Sequence, residues 1–214
     1  MGLSCINTTF NAKMELQVPI NEKYSQNISS EIIIFTTFVR TLNKNTMLVN
    51  FTFQNFRSFR DEKTLSMEAG SIKELKESVI QKESYRLLPA AVMYGANSSG
   101  KSNVLLALMT MRRVLLGSVR LNPNDELYFQ PFKLDLTSAN TPTSFEIQFL
   151  LDDVKYRYGF DYDKTHICKE WLYEKCAGQR EFNLFLRVDN EFEVSKTRFP
   201  EGLGKEGVTP SNRL

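Results

Sequence analysis

Eight residues near the middle of the chain carry its strongest structural signal: Gly95-Ala96-Asn97-Ser98-Ser99-Gly100-Lys101-Ser102. They match the pattern GxxxxGK[ST], a loop whose backbone N–H groups surround a phosphate. The two glycines permit backbone angles that other residues resist, so consecutive N–H groups can turn toward an anion. The lysine reaches the β- and γ-phosphates, and the serine hydroxyl completes the shell of a Mg²⁺ ion. The pattern therefore predicts a nucleotide-binding loop.

The segments on both sides of this loop fit that interpretation. The apolar run 87–94, with a proline inside it and a glycine behind it, predicts a buried strand. Residues 101–116 are apolar on nearly all sides and predict a buried helix, with Gly117 as its stop. The alternative is a glycine turn that precedes a helix by coincidence. A strand, a glycine-rich loop and a helix in this order form the setting that phosphate binding requires.

The rest of the chain is dominated by the two-residue period of β-strands. Near the front, residues 47–54 and 65–67 predict a hairpin-like pair around the polar loop 55–62. Residues 145–149 and 154–162 alternate more strictly and predict an antiparallel hairpin. Shorter strands are predicted over 167–173, 182–188 and 192–194. The predicted fold class is α/β, a strand–loop–helix unit beside an antiparallel β subdomain over about 143–198.

Residues 1–46 differ from this pattern. They are rich in Asn and Thr and show neither a helical nor a strand period. Two interpretations stay open, a translated upstream leader and a flexible N-terminal arm. In both, the segment lies outside the fold, and the folded domain is expected to span 47–214.

Composition excludes several classes of protein. The chain has 214 residues, 42% of them hydrophobic, and a formal net charge of 27 − 25 = +2, which exclude global disorder and do not by themselves indicate a nucleic-acid partner. The apolar run 32–39 is far shorter than the roughly 20 residues of a membrane-spanning helix. The three cysteines form no CxxC pair and leave one thiol over in any disulfide scheme, which favours the reducing cytoplasm.

Several motifs together resemble the ABC-type AAA family ATPases related to SMC, RecF and OLD proteins. The most similar branch is the bacterial group linked to abortive infection and phage defence, and the resemblance spans about residues 47–214. Ser98 stands where many SMC and RecF relatives have glycine, which suits the defence-associated branch. The motifs that carry the resemblance are the loop Gly95–Asn103, Asn55-Phe56-Arg57-Ser58-Phe59, Pro131-Phe132-Lys133-Leu134, the hairpin Phe145–Tyr162 and Glu170-Trp171-Leu172-Tyr173.

This resemblance implies a P-loop NTPase with an ABC-ATPase head, in which a mixed sheet adjoins the antiparallel β subdomain. ATP and Mg²⁺ are the implied cofactors, with Ser102 as the metal ligand and Arg57 as a further contact to the nucleotide. The full-length parent is expected to hydrolyse ATP as a homodimer of heads, with a nuclease or toxin as partner and DNA as another candidate. The nucleotide-binding residues are expected to be Gly95, Ala96, Asn97, Ser98, Ser99, Gly100, Lys101, Ser102 and Asn103.

The same resemblance leaves parts of the family's machinery unassigned. The ABC signature motif, the Walker B Asp-Glu pair and the switch histidine are not recognised in the sequence, so we expect a chain that is incomplete at its C-terminal side. Residues 149–153 superficially resemble a Walker B strand, but their alternation favours a hairpin arm. No catalytic residue is assigned. Two functions stay open, the ATP-binding part of an ATPase and a truncated, non-hydrolysing nucleotide-binding or interaction module.

Several other residues that could carry chemistry are not expected to do so, or are only weak candidates. Gln130 is a weak candidate for a Q-loop glutamine, since it precedes the hairpin rather than following it. His166, the only histidine, is expected to have a structural or exposed role. Cys168 and Cys176 have no histidine pair near them and are not expected to form a zinc site. Trp171 is expected to be a core or strand-face residue.

Overall fold

The computed structural model describes residues 46–71, 76–82, 84–205 and 208–214. The predicted leader or arm therefore lies outside the described residues, apart from Thr46. In chain order the elements are β1 (Thr46–Gln54), β2 (Lys63–Ser66), β3 (Ile80–Lys82), β4 (Tyr85–Leu87), α1 (Lys101–Ser118), β5 (Thr143–Leu151), β6 (Val154–Tyr162), β7 (Ile167–Lys175), β8 (Phe182–Val188) and β9 (Glu191–Val194). Short 3-10 turns occur at Lys76–Ser78, Ser138–Asn140 and Pro200–Gly202.

Seven of the strands form one sheet in the order β2-β1-β5-β6-β7-β8-β9. Strand β1 pairs with both β2 and β5, so the front hairpin belongs to the same sheet as the later strands. Each pairing in this sheet is antiparallel, and the predicted hairpin of β5 and β6 is confirmed. The predicted alternation in β1 is also confirmed, because Val49, Phe51 and Phe53 are buried whereas Gln54 is exposed.

Helix α1 packs against one face of this sheet. The buried side of the helix consists mainly of Ala107, Leu108, Met111 and Val114. The sheet contributes a dense set of aromatic rings to the same core: Phe51, Phe53, Phe145, Tyr158, Phe160 and Tyr162. The predicted helix is confirmed, but Gly117 lies inside its last turn rather than beyond it. The expectation of burial on all sides is wrong, since Met109 on the opposite side is 50% exposed.

The predicted buried strand over 87–94 is not formed. Only Leu87 lies in a strand, β4, which pairs with β3 in a separate two-stranded sheet. Beyond it Val92 is 70% exposed and Tyr94 92% exposed. An apolar run becomes a buried strand only where a neighbouring strand pairs with it, and among the described residues no strand pairs with residues 88–94. The mixed sheet expected from the resemblance is likewise not observed in this part of the chain, whose strand pairings are all antiparallel.

The described fold is thus mostly sheet with one α-helix, which is consistent with an α/β nucleotide-binding domain. No helix within the described ranges is long and apolar enough to cross a membrane.

Candidate nucleotide-binding site

The glycine-rich loop leads directly into helix α1. Gly100 caps the helix in the left-handed conformation, with φ 91°, and Ser98 also has a positive φ of 64°. Glycine suits position 100 for a second reason, since an added Cβ would lie 3.0 Å from Cζ of Phe59. The side chains of Asn97, Ser98 and Ser99 are exposed, as is Ser102 in the first helical turn. The N-terminal end of α1, where helical N–H groups lack partners from a preceding turn, is therefore accessible to an anion from solvent.

Lys101 folds back across the loop. Its Nζ donates hydrogen bonds to the carbonyl oxygens of Gly95, at 2.9 Å, and Ala96, at 2.7 Å. These acceptors are neutral, and a hydrogen bond from an ammonium group to a charged phosphate oxygen is about twice as strong as one between neutral groups. A phosphate in the loop can therefore compete successfully with these two carbonyl oxygens for the ammonium group.

The loop between β1 and β2 lies beside the start of α1, and Asn103 joins the two. The Asn103 side chain donates from Nδ2 to Oγ of Ser58, at 2.7 Å. Its Oδ1 accepts a hydrogen bond from Nη1 of Arg57, at 3.2 Å. The guanidinium group of the exposed Arg57 is thus held at the first turn of the helix. Arg57 and Asn103 were predicted as nucleotide contacts from separate motifs, and in the structure a hydrogen bond joins them.

Asn55 anchors this first loop to the segment that follows α1, a role that the sequence analysis did not predict. Its side chain is 4% exposed and donates from Nδ2 to the carbonyl oxygens of Ser138 and Thr141, both at 2.8 Å. Its Oδ1 accepts the N–H of Phe132 at 3.0 Å. The residue has a φ of 51°, a value that asparagine tolerates better than most residues. The sequence feature that could have indicated this role is the position of Asn55 at the start of the Asn-Phe-Arg-Ser-Phe motif.

Gln130 also lies next to the first loop, through its backbone. Its carbonyl oxygen accepts the N–H of Arg57 at 2.9 Å. The residue is half-buried. The structure therefore brings this weak Q-loop candidate near the site by a main-chain contact.

The Walker B-like segment lies elsewhere. Asp152 and Asp153 form the two-residue turn of the β5–β6 hairpin, with φ values of 48° and 66°, so the interpretation as a hairpin arm is confirmed. The hydroxyl of Thr143 at the other end of β5 donates to the backbone oxygen of Asn55. Strands of nine residues separate the two ends of the hairpin by roughly 27 Å. The aspartates are too distant to act on a nucleotide bound at α1.

The charges around the loop favour an anion. Among the described residues, the groups hydrogen-bonded to the loop and to Asn103 are backbone carbonyls, Ser58 and Arg57, and no carboxylate is among them. Two cationic side chains, Lys101 and Arg57, adjoin the positive end of the helix dipole. The arrangement can bind a phosphate chain and leaves the Ser102 hydroxyl free for a hard cation.

The comparisons with known proteins agree with this geometry at the level of the family. The family described as "AAA domain, putative AbiEii toxin, Type IV TA system" matches residues 90–213, more than half of the chain. The matched range contains the glycine-rich loop, α1 and strands β5 to β9. No curated protein matches the chain.

Proposed function

Because the chain belongs to this family of AAA domains, we propose that it binds ATP together with Mg²⁺ through residues 95–103. The observation that carries the proposal is the position of the Lys101 ammonium group, which spans the loop carbonyls at the positive end of α1. We propose further that the chain is the ATP-binding part of an ABC-type ATPase of the SMC/RecF/OLD-like group.

The phosphates would be bound by main chain and side chains together. The N–H groups of the loop and of the start of α1 would hold the phosphate chain, and Lys101 would supply positive charge to it. Arg57 would approach from the first loop. Its Nη1 atom donates a hydrogen bond to Oδ1 of Asn103 at 3.2 Å, which holds the guanidinium group beside the helix. An arginine in this position would add a second positive charge beside that of Lys101.

Ser102 is the residue that would hold Mg²⁺. Its hydroxyl is exposed one residue after the lysine, and a single protein oxygen suffices because Mg²⁺ keeps several waters and takes its other ligands from phosphates. The ion held there would supply positive charge that offsets the charge of the phosphates. The residues present fit the cofactor, since Ser102 offers a hard oxygen and no carboxylate in the described part contacts the loop to repel the phosphates.

Hydrolysis belongs to the proposal for the full-length parent. We propose a homodimer of heads in which a second head closes over the γ-phosphate. The family description names a putative toxin, which supports a link to a toxin system. We propose in addition a nuclease or toxin partner, a role in phage defence within the cytoplasm, and DNA as the trigger.

A second candidate function is a non-hydrolysing nucleotide-binding or interaction module. It is favoured by one observation, that no carboxylate of the described residues contacts the loop where it could orient an attacking water. A Mg²⁺-dependent phosphate-release assay on the purified chain separates the two. Turnover lost on Lys101→Ala supports the ATPase, whereas ATP binding without turnover supports the module.

The site is tested by calorimetric titration of ATP and Mg²⁺ into the chain and into Lys101→Ala. Loss of a charged hydrogen bond worth about 1.5–3 kcal/mol lowers affinity about 10- to 100-fold. The matched control is Lys63→Ala, which removes an exposed lysine of the edge strand β2 and should leave the affinity unchanged. Equal ATP affinity in Lys101→Ala and the unmodified chain would refute the assignment of the loop.

A further inference from the structure

A second group of ligand-type side chains lies at one end of the sheet, outside the nucleotide site. Asp163 and His166 occupy the turn between β6 and β7, and Cys168 is the second residue of β7. One ligand atom from each of the three lies within 4.8 Å of the other two. Asp189, in the turn between β8 and β9, adds a carboxylate 3.8 Å from the imidazole Nε2. Four residues thus bring oxygen, nitrogen and sulfur donors together.

The turn itself orients the imidazole of His166. One carboxylate oxygen of Asp163, Oδ1, accepts three hydrogen bonds, from the N–H groups of Thr165 and His166 and from the Thr165 hydroxyl. The other oxygen, Oδ2, lies 3.1 Å from Nδ1 of His166. The carboxylate is therefore fixed against one side of the ring.

The proton of the neutral imidazole belongs on Nδ1. The two groups that face Nδ1 are Oδ2 of Asp163 and the hydroxyl of Thr165, at 3.0 Å. That hydroxyl already donates its hydrogen to Asp163, so both neighbours act as acceptors toward the ring. With the hydrogen on Nδ1, Nε2 of His166 carries a free lone pair. A carboxylate behind the ring that fixes this tautomer is the usual support of a metal-binding histidine.

The free nitrogen faces a thiol and a second carboxylate. Nε2 of His166 lies 3.7 Å from Sγ of Cys168 and 3.8 Å from Oδ1 of Asp189. A tetrahedral ion bonded at about 2.1 Å to nitrogen and about 2.3 Å to sulfur separates these two atoms by roughly 3.6 Å. The observed nitrogen–sulfur distance already fits such an ion. The Asp189 carboxylate lies on the same side of the ring, 3.8 Å from Nε2, and its side chain is 68% exposed.

The strand geometry places the thiol at this point. The pairing of β6 with β7 shifts register between Tyr162↔Ile167 and Asp161↔Lys169, which leaves Cys168 as an extra residue in a bulge. The N–H of Asp189 donates to the carbonyl oxygen of Cys168 at 2.9 Å, so the two turns are tied together. Bulges re-aim a side chain, and they often occur next to functional sites.

We propose that His166, Cys168 and Asp189 bind a transition-metal ion, Zn²⁺ foremost, while Asp163 positions the imidazole. A mixed nitrogen, sulfur and oxygen set suits Zn²⁺ and related ions rather than Mg²⁺. Burial and the nearby carboxylates of Asp163, Asp161 and Asp189 raise the pKa of the Cys168 thiol to about 11. A bound cation reverses that effect, because the thiol loses its proton to solvent as the metal–sulfur bond forms. The fourth position is left to water.

This site differs from the zinc site that the sequence argued against. That argument concerned Cys168 together with Cys176. Cys168 lies near the start of β7 and Cys176 directly follows its last residue, eight residues away or roughly 26 Å along the strand. Only Cys168 belongs to the cluster, and its partners come from two turns that are distant in sequence. Cys176 is equally half-buried, so it provides a matched control.

The test is a titration of Co²⁺ alone into the reduced full chain, followed by absorption spectroscopy. We expect a near-ultraviolet thiolate-to-cobalt band with visible bands of a four-coordinate ion, and displacement of Co²⁺ by Zn²⁺ but not by excess Mg²⁺. Cys168→Ser should abolish the thiolate band, whereas Cys176→Ser should retain it. Asp163→Asn should weaken Co²⁺ binding about 10- to 100-fold, the usual effect of losing a supporting carboxylate.

Two further variants keep the result interpretable. Ser102→Ala should retain the thiolate band, because the nucleotide site takes no part in it. His166→Gln, at a half-exposed turn position, should lower the affinity for Co²⁺ at least tenfold with unchanged circular dichroism. A missing band in the unmodified chain, a band that persists in Cys168→Ser, or a band lost in Cys176→Ser would each overturn the proposal.

Discussion

Replacing Asn55 by alanine should destabilise the fold and the nucleotide site together. The side chain joins the first loop to the segment after α1 by hydrogen bonds to Phe132, Ser138 and Thr141, and it is 4% exposed. Alanine removes these three contacts and leaves the half-buried N–H of Phe132 without its acceptor. We therefore expect a loss well above the typical effect of a point substitution.

The magnitude can be worked out from two contributions. Each hydrogen bond contributes about 0.5–1.5 kcal/mol net, and the three together give roughly 2–4 kcal/mol. Alanine at a φ of 51° adds about 1 kcal/mol, because its Cβ is disfavoured in the left-handed region. The expected decrease in the free energy of unfolding is therefore about 3–5 kcal/mol. Asn55→Gly should be destabilised by about 1 kcal/mol less, since glycine adopts this φ readily.

The assay is equilibrium unfolding in urea, followed by circular dichroism, for the unmodified chain and both variants. Asn140→Ala provides the matched control, since Asn140 is exposed in the neighbouring turn and should change stability by less than about 0.5 kcal/mol. A loss below about 1 kcal/mol in Asn55→Ala would refute the reasoning, as would an Asn55→Gly variant less stable than Asn55→Ala. ATP affinity should fall in parallel, because the same loop carries Arg57.

Three further outcomes follow from single residues. Gly100→Ala should lower ATP affinity at least tenfold in calorimetry, since its φ is 91° and the new Cβ would lie 3.0 Å from Phe59. Burial raises the pKa of Glu170 from 4.5 to about 7. The free energy of unfolding should therefore decrease as pH rises from about 4.5 to about 7, by on the order of 3 kcal/mol. In urea unfolding, Glu170→Gln should not show this decrease with pH. Gly159→Ala should unfold at lower temperature with altered tryptophan fluorescence, because its Cβ would lie 2.5 Å from the Trp171 ring.

The sequence predicts most of the local structure of this fold. Strand β8 begins and ends as predicted, at Phe182 and Val188, and the β5–β6 hairpin turns at the two aspartates. Such features depend on a two-residue period and on turn residues, which a short window of sequence contains. The sequence does not predict which strands pair with each other. Strand β1 pairs with β5 across almost a hundred residues, and no local pattern specifies that contact.

The features that the sequence analysis predicted wrongly or did not predict also depend on contacts between distant parts of the chain. Residues 87–94 have the composition of a buried strand, yet burial depends on a partner, and Tyr94 is largely exposed. Asn55 belongs to a motif that the sequence shows, but its anchoring role is not predicted, because its acceptors come from residues more than eighty positions later. His166 and Asp189 likewise meet only because β7 pairs with β8. Residue types and periods are local properties, whereas networks and sites depend on topology.

The glycine-rich loop is held firmly from one side only, and this should limit its affinity for ATP. On the first-loop side, Arg57 and Ser58 hydrogen-bond to Asn103, and Phe59 packs against Gly100. On the other side, the segment before Gly95 lies outside the seven-stranded sheet with apolar side chains exposed. Phosphate binding must then order part of the loop, which subtracts from the affinity that the charges alone would provide. Any contact that covers residues 92–94 should therefore strengthen ATP binding without touching the nucleotide.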